Sequence, residues 1–340
     1  MLKILSKIYG SLAKVRRYTY EKGLIQKHKL PIPVISIGNL SVGGTGKTPL
    51  TIFTAKKLIE RGYSVTVLSR GYKRKSRGTV IVRNRNKILV NWEEAGDEPF
   101  LIAKNNIPVV VSENRYAAGL KAIEEINPDI FILDDGFQHF QLHRDVNILV
   151  FDATKPFWED SLLPSGRLRE PPEFYRYADI LIINRLEKVE NKEEIISKIQ
   201  KLKKKFFISQ EKIDGLTDLE NSYRLETLSG KNIGVFSGLG NNPQFFNTVE
   251  KLSKKIGFKI TEKNSYPDHY DYSQLQLSNN PDLWLTTEKD IIKIRPEYIK
   301  KYRIMALKYT LKLDEDFINY LEKRIFYDKV KNSHLEYRDV

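Results

Sequence analysis

Short apolar runs alternating with segments of helical spacing leave this chain little choice of fold. V-I-S-I-G at 34–38 is followed by a helical stretch at 47–61, where Leu50, Phe53, Leu58 and Ile59 recur at turn spacing. S-V-T-V-L-S-R at 64–70, I-P-V-V-V-S at 107–112 and D-I-F-I-L-D-D at 129–135 continue the series. V-N-I-L-V-F-D at 146–152 and D-I-L-I-I-N-R at 179–185 extend it, and 116–126 is another helical stretch. Strands that are apolar on both faces and separated by helices predict a parallel sheet covered on both sides. T-V-I-V-R and K-I-L-V-N, joined by N-R-N, read as an inserted hairpin at 79–91.

A lysine-rich helix is expected at 192–205, followed by a polar stretch without strong periodicity. A second αβ series then runs through strands at 232–238, 258–262, 283–287 and 303–309, with a helix at 243–256. The expected fold class is α/β: a P-loop NTPase-like parallel sheet sandwiched by helices, plus a second, smaller α/β domain. The boundary falls within 216–227, which divides the chain into residues 1–218 and 219–340. A last helix at 314–325 is expected to pack back on the first domain, and the tail at 332–340 reads as loose.

The first strand leads into S-V-G-G-T-G-K-T-P. The general phosphate-loop pattern is G-x-x-x-x-G-K-[ST]; here Gly46, Lys47 and Thr48 fit, while Ser41 stands at the leading glycine. Gly43, Gly44 and Gly46 permit backbone angles that turn successive N–H groups, Thr45 included, onto a phosphate. The helix N-terminus adds partial positive charge. Lys47 then reaches the β- and γ-phosphates of a nucleotide, and the Thr48 hydroxyl sits on Mg²⁺. A magnesium–nucleotide site also needs a carboxylate at a neighbouring strand end, and I-F-I-L-D-D supplies Asp134 and Asp135. Two adjacent Asp residues there read either as metal ligands or as a solvated strand-to-loop turn; beside the phosphate loop, metal binding is the expectation.

The net charge of +14 points to an anionic partner, whether nucleic acid, acidic membrane or phosphorylated substrate, or to a surface tuned for solubility. The N-terminal segment has helical periodicity through Leu5, Ile8, Leu12 and Val15, flanked by Lys3, Lys7, Lys14, Arg16 and Arg17. Such a helix either lies in the headgroups of an anionic membrane or packs on its own domain. No apolar run approaches the roughly 18–20 residues of a membrane span. The same segment does not read as a signal peptide. There are no cysteines, which excludes disulfides, thiolate catalysis and Cys-ligated zinc.

S-V-G-G-T-G-K-T-P, S-R-G-Y-K-R-K, G-D-E-P, L-D-D-G-F-Q-H, L-L-P-S-G-R-L-R-E-P and P-D-H-Y-D-Y occur in that order. As a set they resemble the tetraacyldisaccharide 4′-kinase family, the lipid A 4′-kinases. The resemblance implies ATP- and Mg²⁺-dependent transfer of a γ-phosphoryl group to the 4′-hydroxyl of tetraacylated glucosamine disaccharide 1-phosphate, giving lipid IVA. It implies work at the cytoplasmic face of the bacterial inner membrane, on a lipid acceptor, at an anionic surface. Neither a nucleic acid nor an obligate protein partner is expected. It also implies that Asp97 of G-D-E-P is the acceptor's base, beside Glu98. Lys47, Asp135 and His139 join it as catalytic residues, although His139 also reads as a packed loop histidine. Arg70, Arg115, Arg169 and Glu170 match cleft-lining positions that bind substrate, and His269 is expected to meet the nucleotide base from the second domain. Two alternatives remain: a membrane-targeted P-loop switch without a sugar-lipid acceptor, and a nucleic-acid-dependent NTPase.

Overall fold

The computed structural model describes residues 2–327, so the tail at 332–340 lies outside the described residues. The chain opens with helix α1 (Leu2–Glu21), strand β1 (Val34–Gly38), helix α2 (Lys47–Glu60) and strand β2 (Val65–Ser69). Next come β3 (Val80–Arg83), α3 (Trp92–Ala95), α4 (Asp97–Lys104), β4 (Val109–Val111) and α5 (Arg115–Glu125). Strands β5 (Ile130–Asp134), β6 (Val146–Asp152) and β7 (Ile180–Asn184) complete the first series. The second comprises α6 (Lys192–Lys201), β8 (Lys205–Thr217), β9 (Ser222–Tyr223), β10 (Asn232–Ser237) and α7 (Asn242–Ile256). It ends with β11 (Lys259–Ser265), β12 (Leu283–Thr287), α8 (Glu288–Ile291), α9 (Pro296–Tyr302), β13 (Ile304–Lys312) and α10 (Asp316–Glu322).

The strands form one continuous sheet in the order β11-β10-β12-β13-β8-β7-β6-β1-β5-β2-β4-β3, with β9 pairing on β8. The pairing is parallel except at the β3 edge and at β8, which pairs antiparallel with β13 and β9; the central parallel strands are those buried on both faces. β1 lies between β5 and β6, so the loop after it opens at the carboxyl ends of three neighbouring strands, where open α/β sheets bind ligands.

Two expectations are corrected. The lysine-rich helix stops at Lys201, and the polar stretch after it is the 13-residue strand β8. Lys205 to Ser209 pair parallel with β7, and the remainder pairs antiparallel with β13, so this one strand carries the sheet from one half to the other. Exposed and half-buried residues recur along it, which hides the periodicity. The hairpin at 79–91 is not a free insert. Its first arm is β3, an antiparallel edge strand on β4; its second arm returns through a bridge between Arg83 and Ile88.

Apolar packing is continuous through both halves: Ile35, Val67 and Ile132 belong to the same buried cluster as Trp284, Ile304 and Phe317. α10 lies against the first half, where the Arg61 guanidinium donates to Asn319 at 2.8 Å and pairs with Glu322.

α1 packs with the face opposite to its apolar stripe. Ser6, Gly10, Arg17 and Tyr20 are its buried residues. A Cβ on Gly10 would come within 2.5 Å of Leu162, so glycine there allows close docking. The Arg17 guanidinium is enclosed by Phe140, Phe174 and Tyr177 at 4.5, 4.6 and 3.8 Å from the ring centroids, with Glu170 3.8 Å away. Leu5, Ile8, Leu12 and Val15 therefore face outward and are exposed, together with Leu2, Ile4, Leu24 and Ile25. Among the described residues no helix is long and apolar enough to cross a membrane.

Arg17→Ala is expected to destabilise the fold by roughly 3 kcal/mol, the low end for breaking a buried pair. Burial already pushes the Glu170 carboxyl up, so it can take a proton once Arg17 is gone. Urea unfolding of both forms measures the difference.

Candidate active site

The loop from 41 to 46 is held from both sides. Ser41 bridges to Leu168, and the Val42 N–H donates to the Arg167 carbonyl at 2.8 Å. Ser41 is not among the residues with positive φ, so a side chain costs nothing where the general pattern has glycine. Gly43 and Gly46 do need glycine, with φ of 103° and 92°. At Gly46 a Cβ would also stand 2.2 Å from the Asn184 amide, which donates to the Thr45 carbonyl at 3.2 Å. Arg185 donates to the Gly44 carbonyl at 3.0 Å and to Asp152 at 2.6 Å. Above Gly43 and Gly44 a Cβ would meet nothing within 4 Å, and this leaves the cradle open to a phosphate.

Lys47 starts α2 and leans back across the loop. Its Nζ donates to Asn39 Oδ1 at 3.3 Å and lies 3.6 Å from Asp135. Asp134 and Asp135 end β5 in opposite environments. Asp135 is in a left-handed turn (φ 49°) and accepts both guanidinium arms of Arg169 at 2.9 and 3.0 Å. Burial would raise its carboxyl, but Lys47 and Arg169 outweigh that and hold it low, at about 2. Asp134 is fully enclosed and accepts from Thr51 at 3.1 Å. Burial, then the charges of Glu98 and Asp135, push it up to about 7. Among the described residues no group of three or more His, Cys, Asp or Glu could hold a metal alone. Asp134 and Asp135 set carboxylate oxygens at the end of β5 and just beyond it, the donor type Mg²⁺ prefers.

Across the cleft, Asp97 begins α4 and is only 5% exposed. The other half reaches over to it. His269 Nδ1 stands 2.7 Å from Asp97 Oδ2, and Lys289 Nζ lies 3.5 Å from the same oxygen and 3.3 Å from Glu98. Burial raises the Asp97 carboxyl, yet the His269 hydrogen bond and the charges of Lys289, His269 and Lys293 bring it down to about 2. Asp97 is thus an ionised acceptor, and His269 Nδ1 carries the proton between them.

A third group is cationic. Arg70 follows β2 and is exposed; Arg115 begins α5 and is buried. Arg115 donates to the Glu113 carbonyl at 3.1 Å, while its Nε has no hydrogen-bond partner. Burial and the nearby Arg70 lower its guanidinium to about 10, so an anion placed here would relieve both charges.

His269 crosses the cleft; its Nδ1 stands 2.7 Å from Asp97, and its Nε2 lies 3.7 Å from Asp268, beyond hydrogen-bond reach. Burial and the charges of Arg115, Arg144, Arg16 and Arg70 lower the His139 imidazole to about 3, which favours its neutral form. Arg169 is committed to Asp135 and to Asn39, and Glu170 to Gln138 at 2.8 Å beneath α1. Arg169 Nε has no hydrogen-bond partner, while Glu170 is almost wholly buried. Both carry the loop: the Gln138 amide that reaches Glu170 also donates to the Asn39 carbonyl at 2.8 Å. Lys289 was missed. Its signal was the segment L-T-T-E-K-D at 285–290, where a lysine follows a strand end.

A glycine-rich cradle between the central strand and the next helix, with carboxylates at the adjoining strand end, defines a phosphate-loop nucleotide-binding protein of the α/β class. Residues 1–326 match the family described as LpxK: Tetraacyldisaccharide-1-P 4'-kinase. The tetraacyldisaccharide 4'-kinase of Aquifex aeolicus is 42% identical over 95% of this chain and 97% of its own length. That of Halothermothrix orenii is 35% identical over 89% of this chain and 84% of its own. A crystal structure described as the "apo" form of LpxK from Aquifex aeolicus in complex with ATP superposes with a TM-score of 0.80. It is 38% identical and covers 95% of this chain and 98% of that one. The chain belongs to the tetraacyldisaccharide-1-P 4'-kinase family. It is a lipid kinase, and its reaction is ATP-dependent transfer of phosphate to a lipid A precursor.

Proposed function

We propose that the cleft aligns the triphosphate of ATP with the 4′-hydroxyl of tetraacylated glucosamine disaccharide 1-phosphate. One observation carries the reading: a buried Asp97 carboxyl, held low, adjoins Glu98, whose charge acts on Asp134 beside the Asp135 that meets Lys47 of the open phosphate loop. The N–H groups of Gly43, Gly44, Thr45 and Gly46 hold the phosphates, and Lys47 neutralises the transferred one. Thr48, Asp134 and Asp135 hold Mg²⁺, which when bound offsets charge on the β- and γ-phosphates. Asp97 takes the proton of the acceptor hydroxyl. A carboxylate this acidic is a weak base, so alignment supplies most of the rate and the proton moves late. Arg70 and Arg115 pair with an acceptor or transferred phosphate, and Glu98 borders the same space. ADP release that depends on added acceptor tests this; equal release without acceptor contradicts it.

The acceptor is lipid-borne, and the outward apolar face of α1 with Lys3, Lys7, Lys14 and Arg16 supports peripheral attachment to an anionic surface. We place that surface at the cytoplasmic face of the inner membrane. Ile8→Asp with Leu12→Asp is expected to lower turnover at least tenfold on acceptor in anionic vesicles, from lost apolar burial. Turnover on detergent-dispersed acceptor should be unchanged, and comparing the two assays checks it.

A further inference from the structure

We infer that Lys289 is a positioning residue for phosphoryl transfer: its ammonium clamps the Asp97 and Glu98 carboxylates into one arrangement across the cleft. The inference rests on the reading of Asp97 as the acceptor's base. Lys289 Nζ lies 3.5 Å from Asp97 Oδ2 and 3.3 Å from Glu98 Oε1, so it joins two successive residues at the start of α4. Their carboxylates would otherwise repel each other and the triphosphate beside them. Burial lowers the Lys289 ammonium, but Glu98, Asp97 and Asp268 outweigh that and raise it, so it is a charged group throughout.

The fold explains how a residue so far along the chain reaches this point. Lys289 lies in the first turn of α8, which Thr287 caps by accepting the Asp290 N–H at 3.1 Å. The Asp290 carboxylate is completely buried. It accepts from the Thr287 hydroxyl at 2.7 Å, the Tyr272 hydroxyl at 3.1 Å and the Gly238 N–H at 3.1 Å. Tyr272 follows closely on His269. One buried carboxylate therefore fixes both segments that deliver a side chain to Asp97. His269 and Lys289 meet the same oxygen, Asp97 Oδ2, and Asp97 Oδ1 accepts the Glu98 N–H at 3.0 Å. His269 sets the proton at one edge of the carboxylate; Lys289 ties it to Glu98 and supplies the balancing charge.

The test is transfer of labelled phosphate from ATP to the disaccharide acceptor by four forms of the full chain: wild type, Lys289→Met, Lys289→Arg and Asp97→Asn, with Lys289→Met/Asp97→Asn as the double variant. Lys289→Met should lower kcat by about 10- to 100-fold, the cost of a misaligned group, with KM for ATP unchanged. Lys289→Arg should recover most of that loss, and both should keep the wild-type circular-dichroism spectrum. In the Asp97→Asn background Lys289→Met should cost little more, since the carboxylate it positions has already lost its charge and its role as base. Wild-type kcat in Lys289→Met, or an equal loss in both backgrounds, overturns the inference while a dead Asp97→Asn leaves the base reading standing. Wild-type kcat in Asp97→Asn overturns the base reading, and this inference with it.

Discussion

Lys47→Ala is expected to lower kcat for phosphoryl transfer at least about 10²- to 10³-fold, the cost of removing one preorganised charge from a transition state. The loss is chemical rather than structural. The side chain of Lys47 makes a hydrogen bond with Asn39 and a looser ion pair with Asp135, and Asp135 keeps both arms of Arg169 when the lysine is gone. Asn39 likewise keeps its contacts with Thr45, Arg169 and Gln138. The loop therefore stays in place without its cation. Labelled-phosphate transfer measures kcat, and the unfolding midpoint in urea, expected to be unchanged, shows that the fold is intact. Near-normal turnover would remove the loop from the mechanism.

Asp97→Asn is expected to lower kcat by about 10²- to 10⁴-fold, the range for loss of a positioned base. The change keeps the shape of the side chain and removes its charge. His269 Nδ1 then donates to a neutral carbonyl oxygen, and Lys289 retains Glu98 at 3.3 Å. Asp97 lies on α4 rather than on the loop, so ATP affinity by calorimetry should change little. A raised KM for ATP with unchanged kcat would mean that Asp97 binds nucleotide and is not the base.

The parallel sheet was legible because its strands are apolar on both faces, and the expected run at 146–152 coincides with β6. The loop was legible because Gly43 and Gly46 sit where left-handed backbone is needed. Other features were hidden for physical reasons. β8 pairs with different partners along its length, so its polar residues follow no single period. Arg169 and Glu170 stand in a motif that marks the cleft, but a motif does not say whether a charge faces substrate or props up the loop. Their partners in the fold, Asp135 and Gln138, are not announced by the motif. The Asp97–His269 contact joins residues 172 positions apart, and nothing local in G-D-E-P or P-D-H-Y-D-Y announces it. Lys289 was passed over for the same reason: its partners lie in the other half of the chain.

The purified chain, incubated with Mg²⁺, γ-labelled ATP and tetraacyl disaccharide 1-phosphate, gives the most direct reading of where the phosphate goes. Label should appear on the lipid for the wild type and be lost from it in both Lys47→Ala and Asp97→Asn. Label released only as inorganic phosphate, at a rate indifferent to the lipid, would contradict a cleft built to join a triphosphate to a sugar hydroxyl.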